Sequence, residues 1–242
     1  MISRRSFIAV ASATALSACV RPAQDATAAL SAPPEPVWPP LPAHYGAVTG
    51  EPYPVPAVPE GVVPPHLWRQ EVDNPFPQYA VGSIVVDPDA AYLHLIGPSG
   101  RAMRYGVGVG AAGYAWSGDA RMQFRRKWPR WKAPDTMIAR RPEFEPYSVA
   151  NGGMDPGPGN PLGARALYLF QNGQDTLYRI HGACEPQYVG QNVSSGCIRL
   201  LDQDVIALHD RVQDGIAVVM LAPLNGDGLS SLSKGEPGFV QC

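Results

Sequence analysis

From Val81 onward the chain runs in short apolar stretches separated by turn residues, the pattern of a mainly β domain. Ser83 to Val86, Tyr92 to Ile96 and Arg104 to Val109 read as strands, with Gly97-Pro98-Ser99-Gly100 turning the chain between the last two. Ala166 to Phe170 and Thr176 to Ile180 flank Asn172-Gly173, whose preference for positive φ predicts a hairpin and leaves His181 at a strand end. Helical spacing is clear in one place. Val205, Leu208 and Val212 share a face, Asp202 offers an N-cap, Asp204 suits the positive helix start, and Gly215 closes the segment before a last strand from Ile216 to Leu221.

Upstream of this domain the pattern is different. More than half of the 27 prolines precede residue 78, and no apolar period runs from Val20 to about His66. Residues 19–66 are expected to form an extended tether, residues 67–223 the domain, and residues 224–242 a loose tail. Polyproline rises about 3.1 Å per residue, so such a tether would reach on the order of 100 Å. Before it, Arg4 and Arg5 precede an apolar run from Phe7 to Ala18 that is too short to span a membrane and suits the core of a signal peptide over residues 1–18. Ser3-Arg4-Arg5-Ser6-Phe7-Ile8 resembles a twin-arginine export signal, and Leu16-Ser17-Ala18-Cys19 resembles the lipobox that precedes a lipidated cysteine. The competing reading is cleavage at small residues near Ala26 to Ala29. A periplasmic protein held to a membrane through Cys19 is the expectation. Net charge of -2 gives no whole-molecule attraction to nucleic acid or to an anionic surface.

The densest chemistry lies in His181-Gly182-Ala183-Cys184 and Ser194-Ser195-Gly196-Cys197-Ile198-Arg199-Leu200. A thiol needs help to ionise at neutral pH, which a nearby imidazole supplies. Gly196 allows close backbone approach, so the amides of Ser195, Gly196 and Cys197 are candidates to stabilise an oxyanion. Other readings stand beside this one. Cys184 and Cys242 are candidates for a disulfide, and His181, Cys184, Cys197 and His209 for a zinc site. Gly108 to Gly113 fits a dinucleotide-binding glycine pattern, but no amphipathic helix follows it. The basic, aromatic run Arg125 to Lys132 suits single-stranded nucleic acid only in a cytosolic protein. In an exported one it reads as a substrate-facing loop, with Trp128, Arg130 and Trp131 as its contacts, or as a solvated loop with its tryptophans in the core.

The His-Gly and Ser-x-Gly-Cys-Ile-Arg-Leu motifs, together with Gly82 to Asp87, Trp128-Pro129-Arg130-Trp131 and Asn160 to Leu169, resemble the L,D-transpeptidase catalytic domain over roughly Leu67 to Leu221. That resemblance implies a β-sandwich or barrel-like fold with a helix after the cysteine loop. It implies Cys197 as nucleophile and His181 as its base, with Ser194 bracing the loop and Arg199 holding it or meeting a substrate carboxylate. The substrate implied is a peptidoglycan stem peptide. Its acyl group would pass through a thioester, with loss of D-Ala, to a stem amine, to a lysine of an anchored lipoprotein, or to water; a non-catalytic lipoprotein that binds the wall is the competing class of function. Neither a metal nor an organic cofactor is implied. Two departures from the family pattern matter: Ser195 stands where many members have His, and Ala183-Cys184 where Thr-Asn is common. The third member of any triad is left unidentified.

Overall fold

The computed structural model describes residues 38–110, 117–183, 185–191 and 197–223. In chain order its strands are β1 (Gln70–Asp73), β2 (Ile84–Asp87), β3 (Tyr92–Ile96), β4 (Arg101–Gly106), β5 (Gly108–Val109), β6 (Gly118–Lys127), β7 (Arg165–Gln171), β8 (Gln174–His181), β9 (Ile198–Arg199) and β10 (Ile216–Met220). Two α-helices accompany them, α1 (Asp135–Arg140) and α2 (Asp202–Arg211). The strands form one mainly antiparallel sheet in the order β1-β4-β3-β2-β10-β6-β7-β8-β9-β5. Two pairings are parallel, β2 with β10 and β8 with β9. The strands expected from apolar alternation fall where they were placed, to within a few residues, except that the single strand expected over Arg104 to Val109 is split: β4 lies beside β3, whereas β5 pairs with β9 at the other edge of the sheet. The Asn172-Gly173 turn joins β7 to β8, with both residues at positive φ.

Alternation along β7, β8 and β9 sends Leu167, Leu169, Ile180 and Ile198 to one face of the sheet, all fully buried. Val205, Leu208 and Val212 of the α2 segment pack on that face and complete the main core. The helix lies where its periodicity put it, but its ends differ from expectation. Asp202 is the first helical residue and makes no cap bond, because its carboxylate is turned away to accept from the amides of Ala164 (2.8 Å) and Ala183 (3.2 Å). Gly215 lies beyond the helix, at φ +90°, in the turn that opens β10.

The strand β6 is not apparent from the sequence pattern. A register shift between Met122 and Phe124 breaks its alternation, and Arg125 points to the inner face, where its guanidinium donates to the carbonyls of His209 (2.6 Å) and Val212 at the end of α2. A cation there satisfies orphan carbonyls at a helix C-terminus.

The tether expected over residues 19–66 is corrected from residue 38 onward. Tyr45, Val58, Val63 and Leu67 are buried and form a second cluster with Val189 and Leu201. The Gln203 amide donates to the Pro56 carbonyl at 2.7 Å, and Val48 bridges Val55. Proline removes ladder donors but leaves neighbouring apolar side chains able to dock on a preformed surface, so burial here needs no period. Residues 19–37 and the expected tail at 224–242 lie outside the described residues.

Candidate active site

The parallel pairing of β8 with β9 builds the site. Ile180 opposes Ile198 and His181 opposes Arg199. Since Ile180 and Ile198 point into the core, their neighbours Arg179, His181 and Arg199 belong to the opposite, outer face, and Cys197 joins them immediately before β9. Cys197 and His181 are therefore diagonal neighbours on adjacent chains, roughly 7–8 Å apart at their backbones, within reach of a thiol and an imidazole. The Cys197 thiol is reduced and partly exposed, whereas His181 is fully buried.

His181 is held in one tautomer. Its Nδ1 lies 2.8 Å from the carbonyl oxygen of Gly182, which can only accept, so in the neutral ring Nδ1 carries the proton and the lone pair is on Nε2. The orienting group missing from the sequence is thus a backbone carbonyl. The turn carrying it is pinned by Asp202. A Cβ on either Gly182 or Gly163 would collide with the Asp202 carboxylate, so both positions need glycine. Burial pushes the Asp202 carboxyl above its usual range, while the Ala164 and Ala183 amides, His181 and Arg165 act in the opposite direction.

A buried ion pair supports the same turn from the other side. Gly182 donates its amide to the Arg165 carbonyl at 3.1 Å, and the Arg165 guanidinium forks onto Glu51 with bonds of 2.5 and 3.0 Å. Glu51 also accepts from the Trp128 indole at 2.6 Å, and Arg165 holds its carboxyl below the usual range. Glu51 was not found from sequence, and Asp202 was noticed there only as a helix cap. Glu51 lies 114 residues from its partner, within a segment that gave no periodic signal.

The expectation that Trp128, Arg130 and Trp131 face substrate is corrected in part. Trp131 is 4% exposed and packs with Phe144, Ala133 and Leu162 against Ala166, so it anchors the 128–163 block to the outer face of β7. Arg130 pairs with Asp155, and Trp128 is half-buried between Glu51 and Tyr53. Arg199 is buried. Ser194, Ser195, Gly196, Cys184, Cys242 and Cys19 lie outside the described residues, and with them two of the three expected oxyanion amides, the disulfide and the lipid site. His209 turns its Nδ1 to Asp210 at 3.0 Å, and among the described residues no three ligating side chains form a metal site.

A thiol and an oriented imidazole on neighbouring chain segments are the parts that nucleophilic cysteine chemistry uses. The L,D-transpeptidase catalytic domain (YkuD) matches residues 82–220, and the chain belongs to that family. It is 31% identical over 144 residues to ErfK/SrfK of Escherichia coli, described as a probable L,D-transpeptidase, covering 57% of this chain and 43% of the relative. It is also 31% identical over 117 residues to YbiS of the same organism, described likewise, covering 46% and 35%. A crystal structure from Brucella melitensis, described as a probable carnitine operon oxidoreductase, is 43% identical, with 66% of this chain and 96% of that chain covered and a TM-score of 0.45. The chain spans less than half the length of the curated relatives it matches.

Proposed function

We propose that this protein is a peptidoglycan L,D-transpeptidase working through Cys197. The observation that carries the reading is the β8–β9 pairing, which brings Cys197 beside an imidazole whose Nδ1 is committed to the Gly182 carbonyl. In this reading His181 Nε2 takes the thiol proton as Cys197 attacks the carbonyl of the third stem residue. The tetrahedral oxyanion collapses to a thioester, and His181 returns the proton to the departing D-Ala amine. An incoming amine then attacks the thioester, gives up a proton to His181, and leaves with the acyl group while the Cys197 thiol reforms. A stem amine makes a 3-3 cross-link, and a lysine of an anchored lipoprotein makes a wall attachment. The signal-like start and Cys19 support an exported protein held at a membrane, which brings the domain to that substrate.

Incubating the protein and its Cys197→Ala variant with purified tetrapeptide muropeptides, and weighing the products by mass spectrometry, tests this. Cross-linked dimers lacking one D-Ala are expected from the parent, with a loss of about 10³-fold or more in the variant. Tripeptide alone would reassign the acceptor to water. Equal, background product from both proteins would exclude the catalytic reading.

A further inference from the structure

The Gly182 carbonyl that orients His181 and the Ala183 amide that Asp202 holds are the two ends of one peptide group. A trans peptide is planar, with its oxygen and its N–H directed oppositely. The groups therefore follow one another in a chain. The Asp202 carboxylate accepts from the Ala183 N–H at 3.2 Å, and on the far side the Gly182 oxygen lies 2.8 Å from His181 Nδ1. That peptide is fixed in direction. Ala183 is held at φ +56°, a left-handed conformation that a non-glycine residue keeps only where its surroundings impose it. Gly182 approaches the carboxylate too closely to carry a Cβ, and its own N–H is taken by the carbonyls of Leu162 and Arg165, both at 3.1 Å. Asp202 opens α2, so its charge lies at the positive end of the helix, and the same oxygen accepts from the Ala164 amide at 2.8 Å.

We infer that Asp202 is the acidic member of a relayed triad, a positioning residue that acts on His181 through the Gly182–Ala183 peptide. The inference rests on the reading of Cys197 as nucleophile and His181 as base. A charged acceptor on the N–H side polarises a peptide and makes its oxygen a stronger acceptor, because hydrogen bonds in a chain reinforce one another where the local dielectric is low. That oxygen then holds the Nδ1 hydrogen more firmly at the moment Nε2 takes the thiol proton and the ring becomes a cation. No proton crosses the peptide. Nδ1 keeps its hydrogen throughout, Nε2 gains the Cys197 proton and later releases it to the leaving amine, and the carboxylate stays charged. The electrostatics point the same way: His181 is among the groups that favour the ionised form of Asp202, and attraction between two charges is mutual, so the carboxylate favours the imidazolium. The Gly182 carbonyl alone would fix the tautomer. The carboxylate behind it adds stabilisation of the charge that the reaction creates.

Asp202→Asn separates charge from shape, since its side-chain oxygen still accepts from Ala164 and Ala183 while the charge is gone. Three readings are taken on the full-length protein. The His181 Nδ1 proton is followed by NMR and assigned by its loss in His181→Gln. Alkylation of Cys197 by iodoacetamide at pH 7, read on its own peptide by mass spectrometry, needs no wall substrate. Turnover of a tetrapeptide muropeptide is the third. In Asp202→Asn the Nδ1 proton is expected to move upfield, alkylation to slow about tenfold, and kcat to fall about tenfold with KM little changed. Asp202→Ala gives up the turn as well and should also melt at a lower temperature. Parent-like NMR and alkylation in Asp202→Asn, beside an impaired Asp202→Ala, would reduce the carboxylate to a pin for the turn and overturn the relay. If Asp202→Asn does not fold, the parent decides by itself: an Nδ1 proton no further downfield than that of an imidazole bonded to an ordinary peptide carbonyl overturns the relay. A parent that shows the NMR and alkylation behaviour of the relay yet makes no product overturns the transpeptidase reading and leaves the relay standing.

Discussion

The two faces of β7, β8 and β9 follow the same alternation and obey different physics. Inside, Leu167, Leu169, Ile180 and Ile198 contribute by leaving water, and α2 seals them. Outside, Ala166 is covered by the Trp131 cluster, whereas Tyr168, Arg179, His181 and Cys197 matter chiefly for their positions relative to a neighbour. An apolar face tolerates exchange among side chains of similar volume, whereas the outer face depends on hydrogen bonds and ion pairs with one satisfactory arrangement. Each face has its own dependence on residues far away in the chain.

The sharpest break falls on the outer face. Replacing Glu51 by Gln leaves the Arg165 guanidinium buried and without its ion pair beneath the His181 turn, and should destabilise the protein by about 3–5 kcal/mol in urea unfolding. Because the same turn holds His181, activity per folded molecule should fall as well. On the inner face Leu167→Ala should cost about 2–5 kcal/mol, with activity per folded molecule nearly unchanged. A Leu167→Ala protein that folds normally but is inactive would erase the distinction between the faces.

A pH experiment probes the back of α2, where the docked 38–69 segment meets the helix. Tyr45 donates its hydroxyl to Asp204 at 3.1 Å, and Arg69 approaches the same carboxylate at 3.6 Å. Burial pushes the Asp204 carboxyl up to about 7, with Arg69 and Tyr45 partly offsetting the effect. The folded protein therefore binds this proton more tightly than the unfolded chain. Its stabilising contribution is full below about pH 4 and is lost as pH rises toward 7, on the order of a few kcal/mol. Buried His94 acts oppositely. Burial lowers it to about 4, so its contribution is present above about pH 6.5 and is lost as pH falls through 4. Asp204→Asn should remove the first dependence and leave the second, so that stability measured from pH 7 down to 4 declines more steeply than in the parent. A smaller effect is expected for Trp128→Phe, which removes one hydrogen bond to Glu51 in a half-buried place. About 1–2 kcal/mol should be lost, visible as a small drop in melting temperature.

Much of the inner face was legible in the sequence because hydrophobic alternation reports burial directly. β3 falls on Tyr92–Ile96 as predicted, and α2 on the segment its spacing marked. β6 was hidden because its register shift and its inward Arg125 both disrupt the period. The docked segment around Tyr45 was hidden because its prolines suppress regular structure without preventing burial. At the site, the motif residues Cys197 and His181 were legible, and the structure brings them together. Gly182's role was not, since a backbone carbonyl carries no residue signature. Asp202 was noticed for the wrong reason, as a cap, and Glu51 gave no signal because its meaning depends on an arginine more than a hundred residues away.

The position of β10 has a consequence for how the chain acquires its shape. That strand follows the other nine in chain order among the described residues, yet it occupies the middle of the sheet, parallel to β2 on one side and antiparallel to β6 on the other. Until residues 216–220 are in place, the ladder that links the first 110 residues to the strands carrying the thiol and the imidazole is, among the described residues, the two-residue β5–β9 pairing. Joining them requires closing a loop of more than a hundred residues, an entropic cost that slows folding even where it alters final stability little. Completion of the sheet should therefore wait for β10, although the β8–β9 register that sets the cysteine beside the histidine is local and does not depend on it.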